Sequence, residues 1–389
     1  MDITIIPKKL WGTVAAIPSK SAAHRLLICA AFADKPTKLI CPETNQDIEA
    51  TANCLGALGA QIHRDKIGYT VSPIQTIPSQ AVLDCRESGS TLRFLLPVAG
   101  ALGVDTTFQM AGRLPQRPLS PLWEEMERMG CVLTRPTPDI IRCTGRLHSG
   151  NYTMDGGVSS QFITGLLFAL SLLPGKSHLE ITGKIESRPY ITMTEQALAL
   201  FSAPQYRSPG TITVEGDWSN SAFWLAANTL GNHLEISGLA LTSSQGDRDV
   251  ADLLPQLAVG TPVICAANIP DLVPILAITA AANHGAVFTN IQRLRIKESD
   301  RVASTIAMVE ALGGTAEATE STLTVSGTGL LGGTVDACND HRIAMSAAIA
   351  STVCSAPVTI LGAECVKKSY PGFWEEFRRL GGTYEQYLR

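Results

Sequence analysis

The chain has 389 residues, 45% of them hydrophobic and 17% charged, with a formal net charge of -4. That length suits two domains of about 100–200 residues each, and the composition excludes long disorder. Without a basic surplus a broad nucleic-acid surface is not implied, so any anion site must be a local concentration of Lys and Arg.

Met1 to Val14 reads as a short alternating strand followed by Lys8, Lys9 and Gly12, without the apolar block of a secretion signal, so a cytoplasmic location is expected. Pro18 to Arg25 (PSKSAAHR) opens a helix with small hydroxyl residues followed by charge. Asp47 to Ile62 is an amphipathic helix that closes on LGALG and runs into a strand. Glu87 to Arg93 (ESGSTLR) is a second polar helix start, and Leu119 to Leu133, ending ERMGCVL, repeats the helix, glycine and strand pattern. Val158 to Phe162 (VSSQF) is a third start, followed by a weaker copy of the repeat at Thr194 to Tyr206.

Ser202 to Trp218 carries two prolines and two glycines and reads as a domain boundary. Beyond it lie another weak copy at Val250 to Val263 and a fourth polar start, Lys297 to Arg301 (KESDR). Good copies follow at Arg301 to Ala316 (VEALGGTA) and Phe373 to Tyr384 (FRRLGGTY), and a fifth start, Asn339 to Arg342 (NDHR), lies between them. The uncharged run Ile343 to Ala363 reads as a buried helix, a turn and a core strand, because its Ser, Thr and Pro residues make it too weakly apolar for a membrane span. Six copies at a spacing of about 65 residues, three on each side of the boundary, predict an α/β protein of two similar halves. The two copies without Leu-Gly predict shortened helices. Periodicity leaves the sheet topology open between a doubly wound sheet, a barrel and other arrangements.

The five polar starts carry the chemistry. A helix N-terminus offers free N–H groups and the positive end of the macrodipole, and Lys or Arg there adds full charge, so these segments favour phosphate or carboxylate ligands. Taken singly, each is an N-cap with a solvated charge; together they supply Lys20, Arg25, Arg117, Lys297, Arg301 and Arg342, with Lys368, to a site for more than one anionic group. No nucleotide-binding glycine motif and no H-E-x-x-H is present, and the ten cysteines contain no C-x-x-C pair, so neither a cofactor nor a metal is expected.

The ordered motifs P-S-K-S-x-x-x-R, S-G-S-T-L-R-F, R-P-L, V-S-S-Q-F, R-P-Y, I-K-E-S-D-R and N-D-H-R-I-A-M resemble those of the 3-phosphoshikimate 1-carboxyvinyltransferases from end to end. The resemblance implies an enolpyruvyl transferase fold: two domains, residues 1–19 with 215–389 and residues 20–214, each of three βαβαββ repeats with helices packed inside. It places the active site in the cleft between them and hinges near residues 19 and 215. It implies that shikimate 3-phosphate is held by Lys20, Ser21, Arg25, Ser159, Ser160, Gln161, Ser187, Asp271 and Lys297. Phosphoenolpyruvate would meet Lys20, Gly89, Arg117, Gln161, Arg301, Arg342 and Lys368. Asp271 is implied as the base for the acceptor hydroxyl, and Glu298 with Lys20 as the groups that move protons at the methylene carbon. Without the resemblance Asp271 reads as a helix N-cap.

Arg293 and Glu87 stand where many relatives carry Asn. The sister enzymes that use UDP-N-acetylglucosamine share this framework, but their mobile loop usually has a cysteine before Arg-Pro, which Gly112 to Pro118 (GRLPQRP) lacks. A binding protein that kept the fold and lost the chemistry is the third reading, against which Lys20, Asp271, Glu298 and Lys368 are all retained. A monomer without nucleic-acid or membrane partners is expected.

Overall fold

The alternation at the N-terminus forms β1 (Asp2–Ile6), which buries Ile3 and Ile5 completely, and β2 (Trp11–Ala15) follows it. The structure, a computed structural model, describes residues 1–387. The chain forms two compact units: the first joins Met1–Ile17 to everything from Glu215 onward, and the second is Pro18–Val214.

The second unit runs α1 (Lys20–Ala31), β3 (Thr37–Ile40), α2 (Gln46–Ala57), β4 (Gln61–Arg64), β5 (Gly68–Ser72), β6 (Gln80–Asp84), α3 (Gly89–Leu102), β7 (Asp105–Gln109), α4 (Leu122–Arg128), β8 (Cys131–Thr137) and β9 (Ile140–Gly145). It continues through β10 (Asn151–Asp155), α5 (Ser160–Leu172), β11 (His178–Thr182), α6 (Arg188–Leu200) and β12 (Thr211–Thr213). The chain then returns to the first unit with α7 (Trp218–Thr229), β13 (His233–Ser237), α8 (Val250–Val259), β14 (Val263–Cys265), α9 (Val273–Ala282), β15 (Gly285–Thr289), α10 (Arg301–Ala311), β16 (Thr315–Ala318) and β17 (Thr322–Ser326). It ends in β18 (Gly333–Asp336), α11 (His341–Ala350), β19 (Val358–Leu361), α12 (Phe373–Arg379) and β20 (Thr383–Tyr387).

Among the described residues each unit holds two four-stranded sheets and one two-stranded sheet. In the order β6-β7-β9-β8 the first pair is parallel, joined by α3, and the remaining pairs are antiparallel; β14-β15-β17-β16 repeats the pattern in the first unit. Both stretches read β-α-β-α-β-β along the chain. Helix α9 is apolar around nearly its whole circumference, and α11 is apolar beyond His341 and Arg342 apart from Ser346; both are buried almost end to end, as interior helices are. The predicted closing glycines Gly59, Gly130, Gly313 and Gly381 all have positive φ, the backbone state a helix terminus needs there.

One expectation fails. Neither weak copy has a shortened helix: α6 has 13 residues, begins before Thr194 and turns off at Phe201 and Ser202 without a Leu-Gly, and α8 has 10 residues against 7 in α4 and in α12. Residues 343–363 form a buried helix, a turn and a core strand, and among the described residues no helix is long and apolar enough to cross a membrane.

Candidate active site

All five polar starts open helices, capped by Ser19 on α1, Ser88 on α3, Ser159 on α5, Asp300 on α10 and Asp340 on α11, each side chain accepting a backbone N–H. Ser90 of α3 bonds Gln161 of α5, and the Asp340 cap of α11 bonds Arg301 of α10, so in each unit two positive helix ends lie together.

In the second unit, Arg25 is buried on α1, where Nε donates to Thr194 Oγ1 at 2.9 Å and its terminal nitrogens donate to the carbonyls of Ser21 at 2.7 Å and Tyr190 at 2.8 Å. Thr164 of α5 takes a longer bond of 3.4 Å. All these partners are neutral. Burial lowers the Arg25 guanidinium to about 10. Lys20 pairs with Asp47 of α2 at 2.8 Å. On α3, Arg93 donates to Gln161 Oε1 at 2.9 Å and Gln161 Nε2 donates to Ser90 at 3.0 Å, tying α3 to α5. Gly89 lies beneath two guanidiniums: a β-carbon there would sit 2.6 Å from Arg117 Nη1 and 2.7 Å from Arg93 Nη1. Ser187 is buried in a left-handed backbone state at the start of α6.

In the first unit the centre is Arg301, the first residue of α10 and 1% exposed. Its three nitrogens reach Asp271 at 2.5 Å, Glu298 at 2.7 Å and Asp340 at 2.9 Å. Arg342 on α11 donates to the Ser219 carbonyl at 2.9 Å and approaches Asp271 at 3.5 Å, and Lys297 stands 3.9 Å from the same carboxylate. Lys368 donates to the Asn339 carbonyl at 2.7 Å, beside the start of α11.

Asp271 is not the cap of α9. That position falls on Leu272, and the carboxylate turns to the cations instead. Burial raises the Asp271 carboxyl, but Arg301, Lys297 and Arg342 outweigh it and hold the group well below the usual carboxylate range. Lys297 is lowered to about 8, by burial above all; Asp271 opposes the shift, while Arg293 and Arg301 add to it.

Of the residues singled out from sequence, Lys20, Ser21, Arg25, Gly89, Arg117, Ser159, Ser160, Gln161 and Ser187 belong to the second unit, and Asp271, Lys297, Glu298, Arg301, Arg342 and Lys368 to the first. Three neighbours carried no assignment from sequence: Arg93, Asp47 and Asp340. Asp340 is completely buried and bonded to both Arg301 and Ser299, although it reads only as a cap. Arg93 was legible as the residue one turn past Gly89. Asp47 had no local signal.

The EPSP synthase (3-phosphoshikimate 1-carboxyvinyltransferase) family model matches residues 5–261 and 260–377. A 3-phosphoshikimate 1-carboxyvinyltransferase of Clostridium kluyveri is 38% identical, covering 99% of this chain and 98% of its own; that of Clostridium beijerinckii is 35% identical with 99% of each covered. The solved EPSP synthase of Acinetobacter baumannii superposes with a TM-score of 0.79 at 22% identity, covering 99% of this chain and all of that one, a likeness of fold. With a matched model across nearly the whole sequence and full-length relatives above 30% identity, this chain belongs to the EPSP synthase family.

Proposed function

We propose that the chain transfers the enolpyruvyl group of phosphoenolpyruvate to the 5-hydroxyl of shikimate 3-phosphate and releases phosphate. It does so in the cytoplasm as a monomer without a cofactor, each unit having three βαβαββ repeats with helices inside. The observation that carries this reading is that each unit holds its own cluster: Arg25 among neutral hydroxyls and carbonyls, with Lys20 against Asp47, in one, and carboxylates interlocked with cations in the other.

Arg25, with no carboxylate beside it, retains its charge for the acceptor's phosphate. Ser159, Ser160, Gln161 and Ser187 supply hydrogen bonds to the substituents of the shikimate ring. Arg117 over Gly89, with Arg301, Arg342 and Lys368, receives the carboxylate and phosphate of the second substrate. Asp271 removes the 5-hydroxyl proton as that oxygen bonds to the central carbon of phosphoenolpyruvate, while the methylene carbon gains a proton from Glu298 or Lys20. In the second step the methyl group returns a proton, the carbon–oxygen bond to phosphate breaks, and the enol ether and inorganic phosphate leave. The cations stabilise the negative charge that develops on the departing group.

The test is phosphate release from phosphoenolpyruvate with shikimate 3-phosphate or UDP-N-acetylglucosamine as acceptor, with the product identified by NMR. Release with shikimate 3-phosphate alone is expected. Release with the nucleotide sugar alone moves the chain to the sister activity, and binding of both substrates without release makes it a binding protein.

Two further results are expected. Gly89→Ala drives a β-carbon into Arg117 and Arg93, so KM for phosphoenolpyruvate rises about 10- to 100-fold while kcat changes less. Steady-state kinetics in both substrates checks this. Lys297 is charged below about pH 8 and neutral above it, so its attraction for the phosphorylated acceptor fades as pH rises through that value. KM for shikimate 3-phosphate should climb between pH 7.5 and 9, and Lys297→Arg, which stays charged, should flatten the climb.

A further inference from the structure

Just before α8, the segment Gln245 to Asp247 clasps the start of α7. Gln245 Oε1 accepts from the Trp218 amide at 3.0 Å and its Nε2 donates to the Gly216 carbonyl at 2.9 Å, bracketing Asp217, the α7 cap. Two residues on, Asp247 is completely buried and accepts a hydrogen bond from the Ser219 hydroxyl. The carbonyl of that same serine holds Nη1 of Arg342, whose Nη2 reaches toward Asp271. An acidic side chain without surface exposure is thus joined through one residue to a guanidinium assigned to phosphoenolpyruvate.

We propose that Asp247 is a positioning residue for phosphoenolpyruvate binding: through Ser219 it fixes Arg342, and its charge, one residue away along that link, tunes how strongly the guanidinium holds an anion. The inference rests on the reading of Arg342 as an anion contact. Asp247 itself touches no reacting atom.

The charged groups that act on it include Asp271 ahead of α9, Arg342 on α11 and Asp217, the α7 cap. Burial raises the Asp247 carboxyl to about 7 and Asp271 adds to the rise; Arg342 and the Ser219 hydrogen bond oppose it, and Asp217 raises it further. Below that value the carboxyl is neutral and Arg342 keeps its full pull on an incoming anion. Above it the new negative charge competes for Arg342, so binding weakens as pH rises.

The experiment compares the full-length protein with Asp247→Asn and Ser219→Ala between pH 5.5 and 9. It measures KM for phosphoenolpyruvate at saturating shikimate 3-phosphate and, by calorimetry, the affinity for inorganic phosphate of protein saturated with shikimate 3-phosphate, a pair that does not turn over. Phosphate's own ionisation is common to all three proteins and cancels in their ratios. In the parent, KM and the phosphate Kd rise roughly three- to tenfold through pH 7. In Asp247→Asn the step is absent, and kcat at pH 6 stays within about twofold of the parent because the amide mimics the neutral acid. In Ser219→Ala the step moves to higher pH, since the lost hydrogen bond no longer favours the ionised form. The proposal is overturned if Asp247→Asn shows the parent's step, or if Ser219→Ala leaves the step where it was. Should Asp247→Asn fail to fold, the Ser219→Ala displacement decides. A phosphate-binding step without any turnover would sustain the role of Asp247 and sink the transfer reaction, so the two readings fail separately.

Discussion

Asp271→Ala should lower kcat by about 10²- to 10⁴-fold, the range expected when a general base is removed, while KM for phosphoenolpyruvate stays level or falls. The split follows from what surrounds the carboxylate. Asp271 stands against Arg301, Arg342 and Lys297, so its removal leaves three cations with more attraction for an anionic substrate. A merely structural aspartate would behave in the opposite way, with weaker binding and a preserved kcat, and that outcome would sink the assignment.

A carboxylate held so far below its ordinary range is a poor base in the unliganded protein. Substrate binding corrects this. Each phosphate or carboxylate that pairs with Arg301, Arg342 or Lys297 neutralises part of the field that depresses Asp271, so basicity rises as the site fills. Two pH consequences follow for kcat/KM, which reports the free protein. Asp271 contributes no acidic limb in the range of an ordinary carboxylate, because it loses its charge only well below that range. With the roles proposed above, the fall at higher pH is expected from Asp247 near 7 and Lys297 near 8.

The sequence was most legible where a local rule has a local consequence. Leu-Gly pairs marked helix ends because the residue beyond a helix needs positive φ, and Ser or Asp ahead of an apolar run marked helix starts because a side-chain oxygen must satisfy free N–H groups. Contacts between distant segments left no such trace. The hydroxyls of Thr4 and Thr359 bond across 355 residues to join β1 and β19, and nothing near either residue announces it. Asp47 meets Lys20 across 27 residues, and Asp247 meets Ser219 across 28, only after the segments that carry them have packed. The length of α6 was misread for a related reason: the helix ends on Phe201 and Ser202, a termination that carries no glycine.

Arg25 on α1 and Arg301 at the start of α10 are both buried guanidiniums, yet their removal should have very unequal consequences for folding. Arg301 is enclosed by Asp271, Glu298 and Asp340, the last completely buried, so Arg301→Leu leaves negative charges facing one another without their counter-ion. Such a break costs about 3–5 kcal/mol. The loss should fall on the first unit alone, where hydrogen exchange would show α10 and α11 opening faster while α3 and α5 keep their protection. Arg25 is enclosed by hydroxyls and carbonyls, so Arg25→Met removes a desolvated charge along with its hydrogen bonds. These terms oppose each other, and stability should change by no more than about 1 kcal/mol. Binding is where Arg25 matters: losing a buried charge that faces a phosphate costs about 2 kcal/mol or more, so affinity for shikimate 3-phosphate should fall about 30-fold or further in calorimetry. An Arg25→Met protein that binds the acceptor normally would remove Arg25 from the site. An Arg301→Leu protein with unchanged exchange in α10 and α11 would mean that the carboxylates find other partners, and that Arg301 is held in place for catalysis alone.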